Sequence, residues 1–115
     1  MQEKYIKHIS HETALQLADQ VSYSAGQIVS MTLSQNKAVS LTLFAFDKGE
    51  EISTHASHGD ALVTALDGLG EITIGGKQHL LKTGESIVMP AGIAHAVKAA
   101  EQFKMLLLVI FPAEK

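Results

Sequence analysis

A chain of 115 residues with a 46% hydrophobic content makes one domain, and at that size it can bury a sufficient core without staples. It contains no cysteine, which excludes a disulfide scaffold, thiolate metal ligands and a cysteine nucleophile. The net charge is −3 and all nine basic residues are lysines, so there is no guanidinium fork for guanine or phosphate, which argues against a nucleic-acid partner.

The start, Met1-Gln2-Glu3-Lys4, is charged and no apolar stretch follows it, so no signal peptide is expected and the expected compartment is the cytoplasm. Residues 1–26 read as an N-terminal arm. Within it, 10–21 is expected to form a short helix: Ser10 can cap it, Glu12 lies in the first turn, and Ala14, Leu17, Ala18 and Val21 share one face. An extended arm is the alternative. From Gln27 the pattern changes to strands, at 28–33 and 39–46, with a hairpin tip at Asn36-Lys37. Strands at 62–66 and 71–74 are separated by an expected turn at Asp67-Gly68. Gly75-Gly76 signals a two-residue hairpin into 78–81. Strands at 86–89, 94–99 and 103–111 complete a set of eight or nine. Short strands at a spacing of about 8–12 residues with Gly-rich turns predict an all-β sandwich or barrel in a single domain.

The last strand carries a second message. Met105 to Phe111 is apolar at every position, yet far shorter than the ~20 residues that span a bilayer, so no membrane partner is expected. A strand with one wet face alternates; a continuous apolar run needs both faces covered. The cover is expected to be a second copy of the chain, giving a homodimer, with residues 1–21 as the alternative.

Two segments carry a family pattern. Gly84-Glu85-Ser86-Ile87-Val88-Met89-Pro90-Ala91-Gly92-Ile93-Ala94-His95 matches the run Gly, five residues, Pro-x-Gly, two residues, His. Upstream, Gly49 is followed after five residues by His55, and Gly68 closes a second pattern. These motifs resemble the paired motifs of the cupin superfamily, in the small, single-domain, conserved-barrel form, over about 38–111. The resemblance implies a double-stranded β-helix, a jelly-roll-like antiparallel barrel. Independently, Pro90-Ala91-Gly92 supplies a fixed φ followed by a permissive residue, which is turn chemistry that sets His95 at the start of a strand.

The resemblance also implies a metal held by three histidines and a glutamate, and here the match is partial. His55 and His95 occupy two ligand positions; Ser57 and Ala61 occupy the other two, and Ala99 replaces the asparagine that closes the second motif. Substitutes lie nearby in His58 and Asp60. Side chains three apart on a regular strand point to opposite faces, so a His55/His58/Asp60/His95 site needs an irregularity near Ala56-Ser57, which Gly59 makes reasonable. Such donors suit Zn, Fe, Mn or Ni, and the sequence does not choose among them. No organic cofactor is indicated.

Three readings stay open: a small-molecule-binding cupin with a divalent metal at the barrel mouth, a metal-free binding or sensor module, and a non-catalytic structural dimer. The pocket is expected to be lined by Leu41, Leu43, Ser57, Val63, Ala65 and Met89. Ser57, His58 and Asp60 are adjacent in sequence, which is not triad geometry, and no oxyanion hole accompanies them. The absence of arginine favours a small neutral or monoanionic ligand over a phosphosugar.

Overall fold

β-branched and aromatic residues form the strands of this chain, and glycine, asparagine and proline mark its reversals. The structure, a computed structural model, describes residues 4–113; the charged start at 1–3 lies outside the described residues. A single 3-10 turn, Leu17–Gln20, precedes seven strands: β1 (Ile28–Gln35), β2 (Val39–Phe46), β3 (Glu51–His55), β4 (Asp60–Ile74), β5 (Lys77–Lys82), β6 (Ser86–Met89) and β7 (His95–Ile110). The protein is all-β, and every strand pairing is antiparallel. No described helix is long and apolar enough to cross a membrane.

The hairpins form where the sequence marks them. The Asn36 side-chain oxygen accepts the backbone N–H groups of Ala38 (2.8 Å) and Val39 (3.0 Å), which closes β1 onto β2. Gly75 and Gly76, with φ of 56° and 82°, supply the two left-handed residues that a tight hairpin between β4 and β5 requires.

β4 and β7, of 15 and 16 residues, each serve two sheets. In the first sheet β2 pairs with the 103–110 half of β7, that half pairs with the 60–65 half of β4, and β4 pairs with β6. In the second, β3 pairs with the start of β7, which pairs with the 70–74 half of β4, and β4 pairs with β5. Both strands bend at one corner, where the β4–β7 register shifts between Ala65 and Asp67 and again between Gly68 and Gly70. Two expected strand pairs thus prove to be two continuous bent strands. The expected turn at Asp67-Gly68 is a paired stretch of β4 between two irregularities, opposite Lys104 and Phe103. β3 was not foreseen, because Glu51, Ser53 and Thr54 leave it little apolar signal.

The two halves close over one core. Phe46, Val63, Ala65, Met105 and Val109 from the first sheet pack with Ile72, Leu81, Val97 and Ala99 from the second, and Phe103 fills the corner between them. A second cluster lies outside the first sheet, where Leu33, Leu41, Leu43, Ala45, Leu66 and Leu106 meet Ile9, Leu17, Val21 and Tyr23 of the arm. Tyr23 also hydrogen-bonds Asp67, and the Lys104 ammonium sits 4.8 Å from the Tyr23 ring centre and donates to the Ala18 carbonyl.

The helix expected over 10–21 is corrected: only the turn at Leu17–Gln20 forms, and its leading residue, Gln16, makes no side-chain cap. Glu12 takes a left-handed φ of 55°, incompatible with a helix running through it. Leu17 and Val21 do face the protein, but they enter the outer cluster from an irregular segment, together with Ile9. Tertiary burial outweighs weak helical propensity in so short a stretch.

Candidate functional site

The end of β3 meets the start of β7, and this register brings the two motifs together: His55 pairs directly with His95. Pro90 ends the strand before, Gly92 turns the chain with φ of 77°, and the Gly92 N–H donates to the Ser57 carbonyl at 2.8 Å. The loop bearing His95 and the loop after His55 are thereby tied to one another.

The imidazoles meet edge to face with ring centres 4.3 Å apart and Nε2 atoms 3.1 Å apart. Each Nδ1 faces a carbonyl, Ser53 for His55 (2.9 Å) and Ile93 for His95 (3.2 Å). When both Nδ1–H groups donate to those carbonyls, both Nε2 atoms present lone pairs toward the same point. Two lone pairs at that distance repel, so the point favours a proton, a ligand's donor group or a cation. His55 is exposed and His95 is buried, only 3% accessible.

Desolvation holds the His95 pKa below its ordinary 6.5, charge on His55 lowers it further, and the hydrogen bond to Ile93 offsets part of this. The unfolded chain therefore takes up this proton near pH 6.5 and the folded chain only at lower pH. Between those two values the unfolded state binds more protons, so the contribution is complete above pH 6.5 and is lost as pH falls through the window below it. Thermal melts at stepped pH are expected to show stability declining below that point in the wild type, with a shallower decline in His95→Gln. Parallel curves for the two proteins would show that His95 is not the group responsible.

Behind the pair lies a cavity of ≈ 370 Å³. Its walls are mainly apolar: Ile52 from β3, Ala61 from β4, Met89 from β6, Val97, Met105, Leu107 and Val109 from β7, and Phe111 beyond it. His55, Ser57, His58 and His95 supply its polar edge.

The structure sorts the sequence-based candidates. His55 and His95 come together. Asp60 does not join them, because its Oδ1 accepts the Ala91 N–H at 2.8 Å. His58 lines the same cavity, but its ring stacks on Phe111 with centres 4.8 Å apart. No group of three or more His, Asp or Glu side chains able to hold a metal ion occurs among the described residues. Ser57 and Met89 line the cavity. Leu41 and Leu43 are corrected: they lie on the other face of β2, in the outer cluster, since alternation sends Phe44 and Phe46 inward instead. Val63 and Ala65 face the barrel interior as core residues and do not line the cavity. Of the lining residues not expected, those on β7 were detectable by counting in twos from His95, which reaches Val97, Met105, Leu107 and Val109, whereas Ile52 lies on the unforeseen β3.

A barrel of two antiparallel sheets sharing two bent strands, with paired motif histidines at an open apolar cavity, is the architecture of a double-stranded β-helix. The family model described as "Cupin domain" matches residues 42–111, and the chain belongs to that family. Among solved structures it is similar to a conserved Streptococcus pyogenes protein of unknown function, with 46% identity and a TM-score of 0.94 over 97% of this chain and 98% of that one. A cupin superfamily protein from Desulfitobacterium hafniense is 31% identical, with a TM-score of 0.89 over 93% and 98% of the respective chains. A cupin 2 conserved-barrel protein from Leptotrichia buccalis is 45% identical with a TM-score of 0.81, covering 84% of this chain and 47% of that one. A search of curated proteins gives no match.

Proposed function

We propose that this cupin binds a small, mainly apolar molecule in its barrel, with the His55–His95 pair holding the molecule's single polar head. The observation that carries the reading is the placement of two Nε2 atoms, 3.1 Å apart, at the edge of a mainly apolar ≈ 370 Å³ cavity. A volume in this range suits a small ligand, and few, well-placed polar atoms in an apolar cavity fix its orientation. Neutral imidazoles accept, so a hydroxyl or amine head suits the pair.

A second reading rests on the same nitrogens. Two nitrogens bound to one ion at ~2.0–2.1 Å each, in adjacent positions, sit roughly 3.0–3.4 Å apart, and ligating histidines commonly donate their other N–H to a carbonyl. His55 and His95 therefore fit an ion held at two protein positions, with the rest open to water or to a bound molecule. They do not make the four-residue cage that the family pattern implies. Such an ion would polarise an oxygen of the bound molecule.

Screening neutral and monoanionic fragments by amide NMR tests the first reading. Hits should shift residues around His55 and His95, and His95→Ala should weaken them by at least about tenfold, the loss of one buried hydrogen bond. Hits that ignore the barrel would overturn it. The same screen with Zn, Ni, Mn or iron(II) tests the second reading. Metal shifts at the two rings that fade in acid, where protons compete for the ligating nitrogens, would support it, and unmoved rings would remove it.

A further inference from the structure

We infer that the stacked rings of His58 and Phe111 are the gate of the barrel cavity and set the length of the molecule it admits, an inference that rests on the binding reading above. Three hollows meet at this point: the barrel cavity, an outer groove of ≈ 510 Å³ beside Gln35, Asn36 and Pro112, and a smaller recess of ≈ 260 Å³ beside Asp60 and Ala91. His58 and Phe111 are the two residues common to the linings of all three. The ring pair is therefore the partition between the barrel cavity and the two outer hollows.

The backbone on either side of that wall is pinned. The Phe111 N–H donates to the Ala38 carbonyl (3.0 Å), and the Gly59 N–H donates to Ser57 Oγ (3.1 Å). Gly59 also lies against the end of β7, where an added Cβ would come within 2.6 Å of the Ile110 carbonyl oxygen. The rings stack with planes that meet at 26°, and Phe111 also packs against the barrel core beside Gly59. His58 is exposed, so its ring can leave the stack by rotating about its own side-chain bonds, and the half-buried Phe111 ring can then turn on its core contacts without moving a strand.

Once the rings part, the barrel cavity becomes continuous with the outer groove. A ligand with its head at His55 and His95 then has a path along which to lengthen, past Phe111 and over Pro112. The class this geometry suits is a slender aliphatic chain with a hydroxyl head, whose donor matches the Nε2 acceptors. Each methylene buried inside the barrel adds affinity by a factor of about four, until the chain end meets the Phe111 ring.

The test titrates straight-chain 1-alkanols, from butanol to decanol, into the isotopically labelled protein and follows amide shifts. The wild type should tighten with each added carbon and then level off. In Phe111→Ala and in the milder Phe111→Leu, the rise should continue for about two further carbons, making decanol roughly tenfold tighter than in wild type. Phe111→Trp should bring the break earlier, and His58→Ala should move it in the same direction as Phe111→Ala. If folded Phe111→Leu and His58→Ala keep the wild-type break, the gate is overturned while the binding reading stands. If no alkanol shifts the barrel residues of any variant, the binding reading fails and the gate falls with it.

Discussion

Gly68→Ala is expected to destabilise the domain by at least about 3–4 kcal/mol, whereas Gly76→Ala costs only about 1. Both glycines have a left-handed φ, 77° and 82°, so both substitutions carry the same local penalty for a Cβ. They differ in what the methyl meets. At Gly76 there is nothing within 4 Å, but at Gly68 an ideal Cβ would lie 1.6 Å from the Gln102 carbonyl oxygen and 2.7 Å from its carbon. Neither atom belongs to a flexible side chain, so β7 must be displaced from β4 at the corner they share. Phe103, fully buried next to that contact, would lose its packing as well. Urea denaturation of both variants measures the difference, which in a melt corresponds to a drop of about 15–25 °C for Gly68→Ala. Equal losses for the two would mean that the corner yields freely.

We propose that the chain is a homodimer, and that Leu62→Glu combined with Val88→Glu will make it a monomer. Leu62 pairs with Leu108 on one side and with Val88 on the other, so these side chains form one stripe across the outside of the first sheet. Leu62, Val88 and Ile110 are 37%, 52% and 54% exposed. The arm covers the neighbouring part of the same face, around Leu43 and Leu106, and leaves this part bare. A flat apolar stripe flanked by a covered one suits a self-complementary contact across a two-fold axis, which should bury more than ~1,200 Å² in total. Light scattering at micromolar concentration should give twice the chain mass for the wild type and the chain mass for the double variant. A wild type that stays monomeric on tenfold concentration would refute the dimer.

What could be read from the sequence follows from how much each signal depends on distant contacts. The motif from Gly84 to His95 is local turn chemistry, and its consequence, His95 at a strand start opposite His55, is what the structure has. The bend of β4 was misread because Asp67-Gly68 is turn-like in composition, while only the partner strand shows that pairing continues through it. The assignment of Leu41 and Leu43 to the pocket failed for a different reason. β2 carries Leu41 and Leu43 on one face and Phe44 and Phe46 on the other, so a period of two marks alternation without marking which face is inside. The outer cover was foreseen as a need, and part of it proved to be the arm. His58 and Asp60 illustrate the limit of spacing arguments. Both lie within five residues of His55, yet one is engaged by a ring and the other by a backbone amide, each from a remote part of the chain. Phe111 carried no motif at all, and its place at the wall follows only from where β7 ends.

The two bent strands also decide where this molecule is stiff. β4 and β7 are hydrogen-bonded to each other from Asp60–Ile110 to Ile74–His95, through both sheets and round the corner. They act as a spine, and the outer strands β5 and β6 hang from it on one flank, as β2 and β3 do on the other. Load applied to either wall is carried to that spine. The loops bearing Ser57, His58 and Pro90 lie beyond its end, tied to each other by the Gly92 N–H on the Ser57 carbonyl and to the spine by the Ala91 N–H on Asp60. The mouth is therefore a rim of turns fastened to the end of the spine, and the exposed side chains of His55 and His58 project from backbone that the frame already holds.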